Sequence, residues 1–527
     1  MQDYICHITL IHEVKIMRKI LKIMFSQLTI VSFLLILQLL AITASLLRIS
    51  EYFIYFNIFL QLVSVMTVVI IINRHSNPSY KLAWVVPILM FPLFGGLFYL
   101  FITGQMHTKY YFKKLALLEK SINGRYKQDK EVLREISVKY PHRERTVSYV
   151  NNVSGLCAYR SSGAEYFPQG EDMLRSMLSE LEKAEKYIFL EYFIIGEGVM
   201  WDRVLEVLRR KAAEGVDVRV KYDGMGSMTL LPKRYPQTLA SYGIKCRVFS
   251  PFTPFLSALQ NNRDHRKITV IDGKVAYTGG VNLADEYINI DYPHGHWKDM
   301  AVKIVGPAAF SFTKMFLHLW WHSGREEEDI NDFCPDYSEY DSAPRDGYVM
   351  PYADIPQDKY QTGEFVYFDI INKAKKYVYI TTPYLILDHE MVVALTNAAY
   401  SGTDVKIICP RAIDHWYARA VAYSYFPELL DAGVKLYEYT PGFINGKTFC
   451  SDDEVSVVGS INLDYRSLYL HFECASWFLG GSVTESVRED FEKTLEKCRE
   501  ITPEFCKKMH PLRKLINAIL RLFAPLM

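Results

Sequence analysis

Residues 265–282 read HRKITVIDGKVAYTGGVN, and residues 445–462 read NGKTFCSDDEVSVVGSIN. Three residue types recur in the two stretches with an offset of 180 positions: Lys267 and Lys447, Asp272 and Asp452, Asn282 and Asn462. The run KITVI is typical of a β-strand, and an Asp-Gly turn follows it. The recurrence indicates that one folding unit occurs twice in this chain.

Three further pairs of segments flank these stretches, in the same order in both halves of the chain. They are YIFLEYFII (187–195) with YVYITTPYLIL (377–387), GVDVRVKYD (215–223) with GTDVKIICP (402–410), and YGIKCRVFSP (242–251) with AGVKLYEYTP (432–441). Strands that alternate with helical patterns predict βαβ units and an α/β fold with mixed, largely parallel sheets flanked by helices. We expect two pseudo-twofold-related lobes, at 150–335 and 336–505, with a site between them.

His265 and Lys267 lie two positions apart at the start of a predicted strand, so both are expected on the same face of the sheet. The imidazole is a nucleophile, the lysine is a fixed cation, and the amide of Asn282 adds hydrogen-bond donors. These groups suit the chemistry of a phosphoryl group. An isolated His-x-Lys pair is usually an ordinary strand feature, and only the recurrence of its frame around Lys447 favours a catalytic interpretation.

The pattern HxKxxxxD followed by GGxN or GSxN resembles the paired HKD signature of the phospholipase D superfamily. Segments around the motifs are similar to bacterial cardiolipin synthases: PGFINGKTF from Pro441, VGSINLDYRSL from Val458 and KLAWVVPILMFPLFGGLFYL from Lys81. The resemblance covers nearly the whole chain. It implies two phospholipase D-like lobes that transfer a phosphatidyl group from one phosphatidylglycerol to another, releasing glycerol, through a phosphohistidine intermediate.

The resemblance also implies roles for the matched residues. His265 would attack the phosphodiester, and the charge on the non-bridging oxygens would be neutralised by side chains rather than by Mg²⁺. No metal and no cofactor are therefore expected. The residues that would hold the phosphate are Lys267, Lys447, Asn282, Asn462 and Ser460.

The acidic residues near the motifs are expected to have two different roles. In the family a carboxylate about thirty positions downstream orients the imidazole, which matches Asp299 for His265 and Glu473 for the second lobe. Asp272 and Asp452 belong to the catalytic signature itself. Each follows a strand and precedes a turn, so we expect them to brace the fold rather than to contact substrate.

Position 445 departs from the pattern, because the family has its second histidine there and this chain has Asn445. That histidine is expected to protonate the leaving alcohol and then to deprotonate the incoming one, and an amide cannot exchange a proton at neutral pH. Losing such a group lowers a rate by about 10²–10⁴-fold. Three interpretations stay open: an impaired cardiolipin synthase, an active one in which another group such as His471 donates the proton, and an inactive lipid-binding relative.

Half of the residues are hydrophobic although 23% are charged, and the apolar excess is concentrated in the segments 28–47, 52–72 and 82–102. Each segment is long enough to cross a bilayer, so we expect a multi-pass membrane anchor over 1–107 and a helical linker over 108–149. Basic residues flank the first and third segments, which favours the cytoplasmic side for both flanks and for the catalytic lobes. One of the three segments is then expected to be re-entrant or interfacial.

The C-terminal residues 506–527 carry apolar residues at helical spacing beside Arg513, Lys514 and Arg521. The pattern predicts an amphipathic helix. Such a helix lies either in the headgroup layer of a membrane or on the core of the protein itself, and the sequence does not choose between the two.

The net charge of +1 argues against a nucleic-acid-binding protein, whose domains are usually strongly basic. The nine cysteines form no CxxC pair and are expected to be reduced thiols. The expected partners are a phospholipid substrate and the bilayer; the sequence predicts no oligomeric state. Alternatives with the same motif are a phospholipase D-type hydrolase and a phosphatidyltransferase with another acceptor alcohol.

Overall fold

A computed structural model describes residues 52–75, 77–91, 106–124, 126–252, 258–324, 328–356, 360–412 and 414–526, together with positions 36, 40, 43, 95, 96 and 99. The chain divides into two compact units. One contains residues 1–111 and 252–261, and the other contains 112–251 and 262–525. Both repeats identified in the sequence belong to the second unit.

The described α-helices are α1 Tyr52–Ile72, α2 Pro78–Met90, α3 Met106–Asn123, α4 Lys130–Lys139, α5 Glu144–Ser154, α6 Gly170–Leu181, α7 Val199–Ala213, α8 Tyr235–Ser241, α9 Phe310–Gly324, α10 Thr362–Lys373, α11 His389–Tyr400, α12 Trp416–Asp431, α13 Tyr465–Tyr469, α14 Ser482–Leu495, α15 Pro503–Lys508 and α16 Pro511–Leu522.

The described strands are β1 Tyr159–Arg160, β2 Ala164–Phe167, β3 Tyr187–Tyr192, β4 Asp217–Asp223, β5 Lys245–Phe249, β6 Lys267–Ile271, β7 Val275–Gly279, β8 His296–Lys298, β9 Ala301–Val305, β10 Tyr348–Asp354, β11 Tyr377–Thr381, β12 Asp404–Pro410, β13 Lys435–Tyr439, β14 Gly442–Ile444, β15 Thr448–Ser451, β16 Val455–Gly459, β17 Glu473–Leu479 and β18 Cys498–Ile501.

Each repeat supplies the central strands of one sheet in the same order, while β1 of the first repeat joins the edge of the second sheet. The first sheet runs β2-β9-β7-β6-β3-β4-β5, and the second runs β1-β10-β17-β16-β15-β11-β12-β13-β18. The central strand β3 is buried along its whole length, as its largely apolar run YIFLEY predicts, and the burial includes the charged Glu191. Helices pack against the sheets, for example α7, whose Trp201 is fully buried in the first core. The predicted α/β fold with mixed sheets flanked by helices is confirmed.

The expectation that the sheets are largely parallel is wrong. In the first sheet only β3, β4 and β5 run parallel to one another, and the pairings of β3 with β6, β6 with β7, and β7 with β9 are antiparallel. The reason is the Asp272–Lys274 turn, which is too short for a crossover and makes β6 and β7 a hairpin. The second sheet has the same arrangement around β11, β15 and β16.

Backbone pairing joins the two lobes directly. Strand β14 of the second lobe pairs in parallel with β8 of the first, from Gly442 opposite His296 to Ile444 opposite Lys298. Trp297 and Phe443 are opposite each other in this pair of strands, and their ring centroids lie 4.7 Å apart. A second parallel bridge joins Asp264 to Phe472. The two lobes therefore meet along the segments that carry positions 265 and 445.

In the N-terminal unit, the predicted apolar segment 52–72 is helix α1, and the third segment begins within α2, which contains Pro87. The first predicted segment, 28–47, lies outside the described residues except at three positions. Within the described ranges, no helix combines the length and the apolar character that crossing a membrane requires.

Candidate active site

His265 lies at the seam between the lobes, just before β6. Its backbone N–H donates to the carbonyl oxygen of Phe472, at 2.9 Å, and this bond fixes the position of the ring. The ring nitrogen Nδ1 lies 2.8 and 3.0 Å from the two carboxylate oxygens of Glu473. Only 14% of the histidine side chain is exposed, and the carboxylate is fully buried. A buried carboxylate at Nδ1 holds the imidazole in one orientation and leaves Nε2 as the reactive atom.

The surroundings of His265 keep its ring neutral. Burial lowers the pKa of His265 well below its ordinary value, and the charges of Lys267 and Lys447 lower that pKa further. Burial also raises the pKa of Glu473 to about 7, against the opposing effect of Lys267. A neutral imidazole carries the lone pair that a nucleophile needs.

The two motif lysines come from different lobes and lie close enough to affect each other electrostatically. Lys267 Nζ donates to the carbonyl oxygen of His265 at 2.6 Å, and Lys447 Nζ donates to that of Asn445. Burial lowers the pKa of Lys267 to about 7, and the positive charge of Lys447 contributes to the same lowering. Burial lowers the pKa of Lys447 as well. Two buried cations that repel each other form a site that an anion between them would stabilise.

Asn445 occupies the position in the second lobe that corresponds to His265. Its backbone N–H donates to Lys298 O at 2.8 Å, and its side-chain Nδ2 donates to Asp299 Oδ2 at 2.6 Å. Asp299 is fully buried, and burial raises its pKa. The position therefore has the buried carboxylate that would orient an imidazole, but the side chain of Asn445 itself cannot exchange a proton at neutral pH.

The pairing of the carboxylates with the motif positions is the reverse of the expectation. Asp299 was expected to orient His265, but it contacts Asn445, and Glu473 of the second lobe contacts His265. The cause lies in the backbone: Lys298, which precedes Asp299, accepts from Asn445 N, and Phe472, which precedes Glu473, accepts from His265 N. Each carboxylate therefore contacts the motif residue of the opposite lobe.

The predicted phosphate-binding residues differ in what their side chains contact. Ser460 Oγ donates to Glu473, so it holds the carboxylate that orients His265. The amide of Asn282 is engaged within the protein, accepting from Ile194 N at 3.0 Å and donating to Tyr287 Oη at 2.7 Å. The Oδ1 atom of Asn462 is buried and has no hydrogen-bond partner among the described residues. Phosphate binding by the two asparagines stays a prediction.

Asp272 and Asp452 lie at the far ends of the motif strands and do not contact the site. The carboxylate of Asp272 accepts three backbone N–H bonds, from residues 185–187, at 2.7–2.8 Å. The carboxylate of Asp452 accepts the equivalent bonds from residues 375–377. Each therefore fastens the turn after the motif strand to the start of the neighbouring strand. Their membership of the catalytic signature is structural, as their position before a turn indicates.

His471 lies beside the His265–Glu473 pair, which the sequence alone could not show. Its Nδ1 is 4.0 Å from Glu473 Oε1, its ring centroid is 5.7 Å from that of His265, and neither ring nitrogen has a hydrogen-bond partner among the described residues. Donor atoms of the three residues all lie within 4.8 Å of one another, a set that could hold a metal ion. Ligands around tetrahedral zinc lie about 3.3 Å apart, so these side chains would have to move together to bind one.

Comparison with known sequences identifies the same two repeats. The profile of the family described as "Cardiolipin synthase, PLD-like domain" matches residues 177–320 and 367–495, and the profile "Phospholipase_D-nuclease N-terminal" matches residues 62–102. These matches cover both lobes and part of the apolar N-terminal region.

Individual relatives align over most of the chain. An uncharacterised protein of Streptococcus mutans is 44% identical over 88% of this chain and 99% of its own length. Cardiolipin synthase 2 of Bacillus cereus is 32% identical over 87% of this chain and 89% of its own. Among solved structures, phosphatidylserine synthase of Haemophilus influenzae superposes with a TM-score of 0.55 over 73% of this chain and 97% of its own, at 14% identity, which is a likeness of fold alone.

Proposed function

The chain belongs to the family of cardiolipin synthases with a PLD-like domain, and from this premise we propose that it is a phosphatidyltransferase of the cardiolipin synthase type. The observation that carries the proposal is the neutral His265, oriented by Glu473 and flanked by two buried lysines from opposite lobes. The proposed substrate is phosphatidylglycerol, as donor and as acceptor, and the proposed product is cardiolipin.

In the first step, His265 Nε2 attacks the phosphorus of one phosphatidylglycerol. The bond from phosphorus to the glycerol oxygen breaks, and the enzyme keeps the phosphatidyl group on the imidazole. Lys267 and Lys447 offset the charge on the non-bridging oxygens, and Glu473 stabilises the positive charge that forms on the ring. A phosphodiester between the lysines raises their pKa, so both are charged in the complex.

The leaving glycerol oxygen requires a proton in this step, and Asn445 cannot supply one. In the second step, the hydroxyl of a second phosphatidylglycerol attacks the phosphorus, loses its proton, and returns His265 to its free form. The same position would accept that proton in a protein with histidine at 445. We therefore infer that this chain carries out both half-reactions slowly, by about 10²–10⁴-fold relative to a histidine variant.

Two groups beside the gap are candidates for residual proton transfer. Lys267, with a pKa of about 7 before substrate binds, is partly protonated at neutral pH and contacts the backbone of the nucleophile. His471 is neutral at this pH, because burial and the neighbouring His265 lower its pKa well below the ordinary value. A neutral imidazole accepts a proton rather than donating one, so His471 can act only in the second step, where its lowered pKa makes it a weak base.

We also propose that the N-terminal residues 1–107 anchor the protein in the cell membrane, with the catalytic lobes on the cytoplasmic side. The apolar segments of the sequence and the basic residues that flank the first and third segments support this arrangement. A bilayer-bound site would meet two phosphatidylglycerol molecules in the plane in which they diffuse.

The test compares the full chain with its Asn445→His variant, both incubated with phosphatidylglycerol. We expect slow cardiolipin formation in the native chain, faster formation in the variant, and a phosphatidyl adduct on His265 that intact-mass spectrometry detects in the native chain. A His265→Asn variant is the control and should form neither adduct nor product. No cardiolipin from the Asn445→His variant would contradict the proposal, and release of phosphatidic acid or transfer to another added alcohol would identify a hydrolase or a different acceptor.

A further inference from the structure

Helix α16 turns its apolar side away from the protein. Its large apolar residues occur three or four positions apart, which places them on one face of the helix. Leu512, Leu515 and Ile519 are 59%, 57% and 52% exposed. Ile516, Leu522 and Phe523 are exposed on the same side. The helix therefore lies on the protein without burying its apolar stripe.

The polar side of α16 makes the contacts with the protein instead. Arg513 lies over the ring of Tyr423 at 5.2 Å, and Arg521 lies over the ring of Tyr425 at 4.2 Å, both on helix α12. Asn517, between the two arginines, is 3% exposed. These three residues are four positions apart and form one stripe, opposite to the apolar one. The orientation of α16 is thus fixed by cation–π contacts and a buried amide.

The C-terminal segment that carries the apolar face has charges of one sign, and Arg521 on its inner side pairs with Glu428 of α12 at 3.3 Å. Residues 505–527 contain five lysines and arginines and no aspartate or glutamate, although the whole chain has a net charge of only +1. Lys507, Lys508 and Lys514 are exposed. A contiguous apolar face beside basic residues is the pattern of a helix that lies in the headgroup layer of an anionic membrane.

We propose that α16 docks on the surface of an anionic phospholipid bilayer, with Leu512, Leu515 and Ile519 inserted among the headgroups and the exposed lysines of the segment attracted by the lipid phosphates. The contacts between the polar side of α16 and α12 leave the apolar side chains facing solvent, so docking requires no rearrangement of the helix. This contact is separate from the catalytic site, and it adds a second attachment for unit 112–525 beyond the N-terminal anchor.

Site-specific photocrosslinking of the full chain tests the proposal. A benzophenone amino acid replaces Leu515 or, in a second variant, Ile519, and the protein is reconstituted in nanodiscs of phosphatidylserine and phosphatidylcholine, so that turnover of phosphatidylglycerol does not change the lipids. The control carries the same group at Val138 on α4, which is 80% exposed. Illumination and mass spectrometry then identify what each position captures.

We expect lipid adducts at positions 515 and 519 and much less adduct at 138. Capture of another segment of the same chain, capture of a second copy, absence of any adduct at 515 and 519, or equal lipid capture at 138 would each overturn the proposal.

Replacing the exposed charges tests the role of the anionic lipid. In the chain with the benzophenone at 515, Lys507→Gln and Lys508→Gln should each lower the yield of lipid adduct about fivefold, since a basic residue near an anionic surface contributes ~1 kcal/mol. Nanodiscs of phosphatidylcholine alone should give a larger loss, because every basic residue of the segment then loses its anionic partner. An unchanged yield in both cases would overturn the electrostatic part of the proposal, while thermal melting confirms that the variants are folded.

Discussion

The half of the site around His265 and the half around Asn445 have the same backbone arrangement and different proton chemistry. In both halves the motif residue donates its N–H to the opposite lobe, the motif lysine donates to the carbonyl of that residue, and a buried carboxylate contacts its side chain. The side chain itself is an imidazole in one half and an amide in the other. Positioning and proton transfer are therefore separable in this fold, because the first depends on backbone pairing and the second on one ring.

The carboxylates of the two halves are also held differently. In the His265 half, Ser460 donates its hydroxyl to Glu473. In the other half the equivalent position is Gly280, where an added Cβ atom would lie 2.0 Å from Asp299 Oδ1. The shorter aspartate therefore occupies the space that a serine would need. The second donor to the carboxylate is therefore a side-chain hydroxyl in the His265 half and the backbone N–H of Met300, at 2.9 Å, in the Asn445 half.

The largest effects on reaction rate are expected from Glu473 and Asp299, the carboxylates that each contact the motif of the opposite lobe. In the Asn445→His background, Glu473→Gln should slow formation of the His265 adduct by about 10²–10⁴-fold, because the ring loses the charge that orients it and stabilises its cation. Asp299→Asn should slow cardiolipin formation instead, by acting on the new histidine. The measurement is single-turnover adduct formation by intact mass, followed by product formation.

The same two substitutions in the native chain, which keeps Asn445, serve as the control. With Asn445 in place, Asp299→Asn should change the adduct rate only a few-fold, since the group it contacts does not titrate. A large loss of adduct in Asp299→Asn, with little change in Glu473→Gln, would mean that each carboxylate acts on the motif of its own lobe.

Replacing the motif lysine Lys267 should remove activity and increase the stability of the folded protein. Lys267→Met should abolish detectable adduct and raise the free energy of unfolding, because it removes the desolvation of the lysine and its repulsion by Lys447. Thermal melting and the adduct assay measure the two effects. Lys493→Met, at a position 73% exposed, is the control and should change neither. A Lys267→Met protein that is less stable than the native chain would contradict the prediction that this buried lysine destabilises the fold.

The lowered pKa of Lys267 also predicts a direction with pH. Since its pKa is about 7 in the folded protein and about 10.4 in an unfolded chain, the unfolded state binds more protons between these values. This lysine therefore contributes stability that increases as pH rises from about 7 to 10, and Lys267→Met should flatten that increase. Binding of an anionic substrate needs the charged lysine, so KM should rise above pH 7.

The signature aspartates should affect stability and leave the chemistry unchanged. Asp272→Ala and Asp452→Ala should each lower the free energy of unfolding by ~1–3 kcal/mol, because three backbone N–H groups lose their acceptor. The adduct rate per folded molecule should stay near the native value in both variants. A strong loss of adduct formation in a stable Asp272→Ala protein would instead place this residue in the chemistry.

The smallest effect is expected at Ser460, the residue that distinguishes the two carboxylates. Ser460→Ala should slow adduct formation about fivefold, in line with the ~1 kcal/mol of one hydrogen bond. The serine lowers the pKa of Glu473, so its removal should raise that pKa and move the acidic limb of the pH–rate profile to higher pH. A profile that does not move would indicate that the serine has no part in holding the carboxylate.

The sequence alone determined the repeated unit, the positions of the central strands, and the place of His265, Lys267 and Lys447 in one site. These features follow from local patterns: an apolar run defines each strand, and the constant offset of 180 fixes which residues are equivalent. The sequence also identified Asn445 as the departure, since one letter in a repeated frame is enough to show it.

The tertiary structure decided the antiparallel hairpins, the exchange of Asp299 and Glu473 between lobes, the nearness of His471 to His265, and the outward face of α16. Each of these depends on contacts between segments far apart in the chain, such as Phe472 with His265 and Tyr425 with Arg521. Spacing along a sequence states which side chains share a strand or a helix face. It does not state which distant backbone that strand or face meets, and that pairing places the carboxylates and the helix.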